Sequence, residues 1–366
     1  MKASVHKAFH HAPVNGPLFD TPRRYFTFAL HHYFSQETAM SITTRLKFSS
    51  LRRSLMLSAC ALAMTSAPAW AAWPNDKPVE LVVGFAAGGG TDITARTLAQ
   101  FLTKKIGAQV VVTNKVGASG EIGLGYVAKA APDGYVIGMT NMPGLVTIPI
   151  ERKAQFKSSD FAYIANLVRD PSAFSVLANS KYKNLNDLIA DAKAHPGEIT
   201  YGSTGVGTDD HLAMVLFQRL TGVQLNHVPF NGAGPLRTAV LGGHVVIGGM
   251  NLGEVMPFQE KVRILGQASP GRADLAPSVP SFKEQGVNLV FNSERGIVTP
   301  KDLPANVKAK LTQALREIAA DPEFKKQMNH QFTEMDYLEG DAWKSRLDKQ
   351  TEGFKTIWSE SPWSDK

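Results

Sequence analysis

Along the chain, short apolar runs typical of strands alternate with segments whose apolar residues have the spacing of a helix. Residues 79–85 form a nearly continuous apolar run with glycine at its end, which is typical of a buried parallel strand. Residues 91–106 then show the spacing of an amphipathic helix. Further strands are predicted at 109–114 and 135–140, with a helix at 121–130 between them. This β-α-β-α-β order predicts a parallel sheet with helical crossovers.

A second series of short elements begins with a strand at 176–178. Asn184 can cap the next helix, with Asp187 at its third position. The pattern predicts helices at 185–194, 209–220, 235–241, 305–319 and 341–358, and strands at 199–201, 225–229, 245–250, 262–267 and 296–298. A chain of 366 residues is long for one domain, so two α/β units are expected.

Composition and charge exclude several classes of protein. Hydrophobic content of 43% and charged content of 19% describe a globular chain rather than a disordered one. The net charge is +7. Residues 1–71 hold eight basic and two acidic groups, and the rest of the chain holds 31 basic and 30 acidic groups. The basic character therefore belongs to a leader, and nucleic-acid binding loses its compositional support.

The leader has the organisation of a secretory signal. Basic residues precede an apolar stretch at 55–64, and Ala69-Trp70-Ala71 is a small-x-small cleavage site. The apolar stretch is too short and too interrupted to span a bilayer. We expect translation to start at Met40, residues 1–39 to be an upstream extension without a role in the fold, and cleavage to follow Ala71.

Cys60 leaves a second interpretation open. Leu57-Ser58-Ala59-Cys60 resembles a lipobox, which would acylate the cysteine and anchor the protein to a membrane. The apolar stretch before Cys60 is short for that role and continues beyond it. With ordinary cleavage the mature chain contains no cysteine, which suits an oxidising compartment.

Processing is directly testable. N-terminal sequencing of exported protein should begin at Ala72, because Ala69 and Ala71 fit the small pockets of a signal peptidase. A blocked N-terminus at an acylated Cys60 would contradict this expectation and make the protein membrane-anchored.

Three predicted strand-to-helix corners are rich in Gly, Ser and Thr: residues 85–92, 116–120 and 202–208. Glycine lets the backbone approach a ligand closely, and the helix that follows presents unpaired N–H groups at its positive end. Such a corner can hold a carboxylate or phosphate. A single corner is more simply an ordinary connector, but three at the carboxyl ends of parallel strands predict a ligand site.

Nucleotide and enzyme motifs are absent from the sequence. The P-loop lysine is missing after Gly84-x4-Gly89, and Gly88-x-Gly90 lacks the third glycine of a dinucleotide fingerprint. No Gly-x-Ser-x-Gly occurs, and one cysteine excludes a disulfide framework or a Cys-based zinc site. The histidines after residue 71 are too dispersed for a local metal motif. Ser203 and His211 lie near Asp209, but packing of His211 within its helix is the simpler interpretation.

An ordered set of segments across residues 73–366 is informative as a whole: WPNDKPVELVVGFAAGGGTDITARTLAQFL, VVTNKVGASGEIG, AKAAPDGYVIGM, DLIADAKAHPGEITYGSTGVGTDDHLA, NHVPFNGAG, LGGHVVIGGMNLGEVMP and VPSFKEQGV. In this order the segments resemble the extracytoplasmic receptors of tripartite tricarboxylate transporters, or Bug proteins. The resemblance implies an α/β fold with two lobes, like type II periplasmic binding proteins, and a ligand cleft between them. Lobe one would comprise 72–177 with 292–366 and lobe two 178–291, with crossings near 175–179 and 292–298.

The resemblance also implies a ligand site, in which the first two loops of lobe one hold a carboxylate. Carried over residue by residue, the lobe-one site is Phe85, Ala86, Gly90, Thr91, Asp92, Gly117, Ala118, Ser119, Thr140 and Asn141. The matching positions opposite are Ser203, Thr204, Thr208, Asp209, Phe230 and Asn251, and Arg295 lies where the chain crosses back.

Two departures from the family pattern bear on the ligand. Glu294 and Arg295 stand where many members have an aromatic pair, which disfavours an aromatic acid. Asp209 and Asp210 either disfavour an anion on lobe two or only stabilise the first turn of their helix. Arg295 is the single basic candidate for a second carboxylate. A ligand with one anchoring carboxylate and a polar distal end is therefore expected, rather than a tricarboxylate.

The resemblance implies a monomeric periplasmic receptor that needs no cofactor, performs no catalysis and passes a small organic acid to membrane permease subunits. Two alternatives stay open from sequence: a periplasmic enzyme acting on a small carboxylate, and a receptor that presents its ligand to a sensor kinase.

Overall fold

The structure, a computed structural model, describes residues 73–364. The predicted signal sequence, its cleavage site after Ala71 and the alternative at Cys60 lie outside these residues. Within residues 73–364, no helix is both long enough and apolar enough to cross a bilayer.

Strands and helices alternate through most of the described chain. The strands are β1 (Val79–Val83), β2 (Val110–Asn114), β3 (Val136–Met139), β4 (Phe161–Leu177), β5 (Thr200–Ser203), β6 (Asn226–Pro229), β7 (Ile247–Asn251), β8 (Val262–Gln267), β9 (Asn292–Pro300) and β10 (Glu334–Glu339). The α-helices are α1 (Gly90–Ile106), α2 (Glu121–Lys129), α3 (Gly144–Glu151), α4 (Leu185–Ala194), α5 (Asp209–Thr221), α6 (Ala233–Leu241), α7 (Leu252–Val255), α8 (Ala305–Ala320), α9 (Pro322–His330) and α10 (Gly340–Glu360).

Both predicted parallel units are present. In the first, β1 pairs in parallel with β2 on one side and β3 on the other. In the second, β5 pairs in parallel with β6 and β7. The carboxyl ends of each set lie at one sheet edge, so each unit brings its glycine-rich corners together there. We call these units, with the helices that cover them, lobe one and lobe two.

Two long antiparallel strands join the lobes. β4 pairs with β9 from Phe161 to Pro171, and from Ser172 onward it pairs with β7 and β8. The sequence pattern indicated only the end of β4, because Arg169, Asp170 and Pro171 interrupt its apolar run and proline is rare inside sheets. The change of partners precedes the crossing expected at 175–179 by a few residues. The exact residue boundaries of the lobes stay a prediction.

The core covers both faces of the lobe-one sheet. Alternate residues of a strand point to opposite faces, so Leu81 packs towards α1 and α8, whereas Val82 packs towards α2 and Trp343 of α10. Lobe two has its own clusters around Phe174 and Leu236. Apolar clusters in each lobe therefore support the loops that face each other across the cleft, and the cluster around Trp343 also includes Leu212 of lobe two.

Candidate functional site

Residues of lobe one bond directly to loops of lobe two. The Ala86 N–H donates to the Asn231 carbonyl at 3.1 Å, and the Thr147 hydroxyl donates to the Gly207 carbonyl at 2.6 Å. The lobes are thus closed on each other.

The first loop of lobe one is fixed by a carboxylate of its own. Asp92 accepts from the Gly88 N–H at 3.0 Å and from Asn114 Nδ2 at 2.9 Å, and it pairs with Arg96 at 2.9 Å. Its side chain is therefore engaged within the loop and on the helix behind it. Asp92, a predicted ligand contact, shapes the loop in this arrangement, while the neighbouring Gly90 faces lobe two.

The second loop has an unusual backbone. Gly117, Ala118, Ser119 and Gly120 all have positive φ, at 139°, 48°, 59° and 94°. This region is unfavourable for residues with a side chain, and such strain is often found at ligand-binding loops. The Arg152 guanidinium secures the turn by donating to the Ala118 carbonyl at 3.1 Å.

The tip of this loop lies against lobe two. A Cβ built at Gly205 would lie 2.6 Å from the Ser119 hydroxyl, so only glycine permits the observed approach.

Arg295 lies at the base of the cleft, with no exposed surface. Its Nη1 pairs with Asp170 Oδ2 at 2.9 Å, and its Nη2 donates to Asn251 Oδ1 at 3.0 Å. The same Nη2 lies 3.7 Å from Glu254 Oε1. Nε of Arg295 has no hydrogen-bond partner within the described part of the chain. The one predicted basic contact is thus largely engaged within the protein and retains one free buried donor.

Asp209 joins the lobes beside Arg295. Its Oδ2 accepts from Asn251 Nδ2 at 2.6 Å and from the Ser172 hydroxyl at 3.2 Å. In the orientation that satisfies both ends of the Asn141 amide, the Asn141 nitrogen donates to Asp209 Oδ1 at 3.1 Å and the oxygen accepts from Thr91. Burial raises the pKa of the Asp209 carboxyl to about 6. Burial likewise raises the pKa of Asp170 to about 7, against the opposing effect of Arg295.

The pKa of Asp209 predicts a pH dependence of stability. Because the folded-state pKa is about 6 and the usual value is 3.8, the unfolded state ionises first as the pH rises. The free energy of unfolding should therefore fall as the pH rises from about 4 to about 6. Asp209→Asn should flatten this decline in urea titrations, whereas Asp274→Asn, at an exposed position, should not. An unchanged slope in Asp209→Asn would contradict the assignment.

The hydroxyls predicted on lobe two bond within their own loop. Thr204 Oγ1 donates to Asp210 Oδ2 at 2.6 Å, and Thr208 Oγ1 donates to the Gly205 carbonyl at 2.7 Å. Asp209 and Asp210 both lie in the first turn of α5, as the sequence indicated. Burial raises the pKa of Asp210 well above its usual range.

Ser203 lies beside a histidine pair. Its Oγ is 2.7 Å from His227 Nε2, and the His227 ring stacks on His211 at 4.0 Å between centroids. His211 Nδ1 accepts from the Gly207 N–H at 3.0 Å, which agrees with packing of His211 at the start of its helix. Ser203 has no exposed surface and also bonds Gly205, so its hydroxyl is not open to a substrate.

Three further residues predicted to contact the ligand pack against, or bond to, the backbone near the cleft. Phe85 packs on Gly120 behind the first loop, Thr140 bonds the backbone of Gly296, and Phe230 lies near Gly202. Glu294 turns away from Arg295 and accepts from Trp343 Nε1 at 2.8 Å, because neighbouring residues of a strand point to opposite faces.

Sequence reasoning missed Glu254 and Asp170. The Gly90 N–H donates to Glu254 Oε1 at 2.8 Å, so the expected anion anchor already holds a carboxylate of the protein. The pattern Asn251-Leu252-Gly253-Glu254 is a capping box and could have revealed Glu254 as the start of a helix beside the cleft. Asp170 lies in the part of β4 that was not predicted.

The protein has two α/β lobes joined by two crossing strands, and loops at the facing sheet edges of the lobes contact each other. This architecture is that of a solute-binding protein of the periplasmic type. The chain belongs to the tripartite tricarboxylate transporter family receptors, whose model matches residues 94–351. It is 34% identical over 285 residues to a Cupriavidus necator protein described from the gbd 5′ region, covering 76% of this chain and 86% of that protein.

Solved structures agree. The periplasmic binding protein BugD has a TM-score of 0.74 at 27% identity, covering 80% of this chain and 99% of that one. A protein of R. palustris, solved with adipate, has a TM-score of 0.75 at 26% identity, covering 78% and 97%. The expected fold class and family are confirmed.

Proposed function

We propose that this chain captures a small organic carboxylate between its two lobes in the periplasm and passes it to the membrane subunits of a tripartite tricarboxylate transporter. The observation that carries the proposal is the meeting of the two loop sets, which places the N-terminus of α1 and the strained second loop opposite lobe two. Opening exposes backbone donors to solvent, and closure around a ligand removes water from them.

The chemistry of the cleft favours one anchoring carboxylate. Gly90 begins a helix of 17 residues, whose first N–H groups attract an anion. Beyond it, Asp170, Asp209 and Glu254 surround the single guanidinium of Arg295. A ligand with many negative charges would meet these carboxyl groups, so citrate should bind less well than a smaller hydroxy, amino or dicarboxylic acid. The R. palustris relative solved with adipate supports a small organic acid as the class of ligand.

Binding rather than catalysis is the function we assign. Ser203, which bonds His227 near the cleft, is buried and does not present a nucleophile. The monomeric state and the permease partners are part of the proposal.

A thermal-shift screen tests the proposal. The panel contains succinate, malate, adipate, aspartate, benzoate and citrate, each beside its methyl ester. At a hundredfold excess over Kd, a bound acid should add about 2.7 kcal/mol to the free energy of unfolding and raise Tm, and its ester should not. If no acid raises Tm, or if esters act equally, the carboxylate receptor is ruled out. Citrate as the strongest ligand would contradict the proposed ligand class.

A further inference from the structure

The carboxylate of Glu254 connects helices from both lobes. Its Oε1 accepts from the Gly90 N–H, at the start of α1 in lobe one, at 2.8 Å. Its Oε2 accepts from the Asn251 N–H, at the cap of α7 in lobe two, at 3.0 Å. The side chain is nearly buried, with 5% of the residue exposed. One carboxylate therefore bridges the cleft at its base.

A local capping role explains only half of this geometry. The bond from Oε2 to Asn251 completes the capping box and lies wholly within lobe two. The bond from Oε1 crosses to the other lobe and exists only while the lobes are closed. Its position coincides with the anion anchor expected for the ligand.

Arg295 provides an independent sign that the place suits an incoming carboxylate. Its Nη2 is 3.7 Å from Glu254 Oε1, a longer approach than in its pairs with Asp170 and Asn251. Its buried Nε has no partner within residues 73–364. A buried donor left without a partner is unfavourable, so a carboxylate that reaches it would gain a bond that Glu254 does not make.

We propose that Glu254 is a specificity-determining residue: a tethered carboxylate that holds the ligand-free receptor closed and that the ligand's carboxylate displaces from Gly90. This inference rests on the proposed function. The latched form does not bind ligand, so the apparent affinity is the intrinsic affinity multiplied by the fraction of molecules that are not latched. Glu254 thereby excludes acids that bind no better than a glutamate side chain already in place.

Closure without ligand is the decisive readout. Nitroxide labels on Gln100→Cys of α1 and Thr238→Cys of α6, both exposed positions, report the distance between the lobes. The full chain carries Cys60→Ser, so only the introduced cysteines react. We expect one narrow distance in the parent, a longer and broader distribution in Glu254→Gln, and no change in Glu260→Gln, an exposed control on the same lobe.

A second variant distinguishes the effect of side-chain length at position 254 from the effect of its charge. Glu254→Asp keeps the charge and can still serve the local cap, but it is one methylene shorter and does not reach Gly90. It should open the lobes as Glu254→Gln does. A parent that is already open, or either variant remaining as closed as the parent, overturns the inference.

Measuring ligand affinity distinguishes a failure of this inference from a failure of the proposed function. For those of succinate, malate and adipate that bind the parent, Glu254→Gln should bind roughly tenfold more tightly in calorimetry, corresponding to about 1.4 kcal/mol. Equal or weaker binding by Glu254→Gln overturns the role of Glu254 and leaves the receptor function intact. If the variants open as expected but no acid of the panel binds any of them, the proposed function fails instead.

Discussion

Replacing Gly90 with valine should weaken carboxylate binding by more than tenfold, or roughly 1.4 kcal/mol, and prevent full closure of the lobes. A Cβ at this position would lie 2.5 Å from Arg295 Nη2 and 2.8 Å from Glu254 Oε1. The guanidinium has little freedom to retreat because it is buried and bonded to Asp170 and Asn251. The added side chain would also cover the N–H groups that anchor the ligand.

The neighbouring glycine is a matched control. A Cβ at Gly89 would lie 3.6 Å from its nearest neighbours, which is ordinary contact, and the φ of Gly89 is −87°. Gly89→Ala should therefore bind as the parent does in calorimetry. Unchanged affinity in a folded Gly90→Val variant would place the ligand elsewhere.

Replacing Arg295 with methionine should lower the free energy of unfolding by about 3–5 kcal/mol, because it leaves the carboxyl group of Asp170 buried without its charged partner. Both side chains of this pair have no exposed surface. The paired variant Arg295→Met/Asp170→Asn should recover part of the loss, since a neutral amide is less unfavourable to bury than a carboxyl group that has lost its guanidinium partner. Urea denaturation measures all three proteins.

An exposed ion pair provides the comparison. Arg272 and Glu284 pair at 3.0 Å with 45% of each side chain exposed. Arg272→Met should change the free energy of unfolding by less than about 1 kcal/mol. If Arg295→Met changed the free energy of unfolding by as little, the guanidinium would not stabilise the fold. Arg295 would then be a candidate for a direct ligand contact, as the sequence predicted.

Local patterns predicted the parallel units well, because their strands and helices obey regular periods. The start of α5 at Asp209 and the bounds of β8 agree with the sequence pattern. The pattern did not show α3, which contains Pro149, or the full length of β4, which contains Pro171. Both depend on tertiary packing that overrides a local interruption.

The glycine-rich corners were also apparent from sequence, and the structure places them at the facing edges of the two lobes. Sequence could not show that Arg295 is engaged by Asp170, since the two are 125 residues apart. It also could not show that Glu254 reaches Gly90 from the opposite lobe, 164 residues away. Such pairings follow from the topology of the crossing strands, not from local spacing.

A reversible lock across the cleft tests the central claim most directly. A Cβ at Gly89 would lie 3.6 Å from the Cβ of Ala233 on lobe two, within the range for a disulfide. The test uses the double variant Gly89→Cys/Ala233→Cys in the Cys60→Ser chain, with the strongest acid of the panel as the ligand. The reduced form should bind this acid in calorimetry. The oxidised form should show no measurable binding, because the disulfide keeps the cleft closed and the ligand cannot enter. Equal affinity of the oxidised and reduced forms would contradict a ligand site between the lobes.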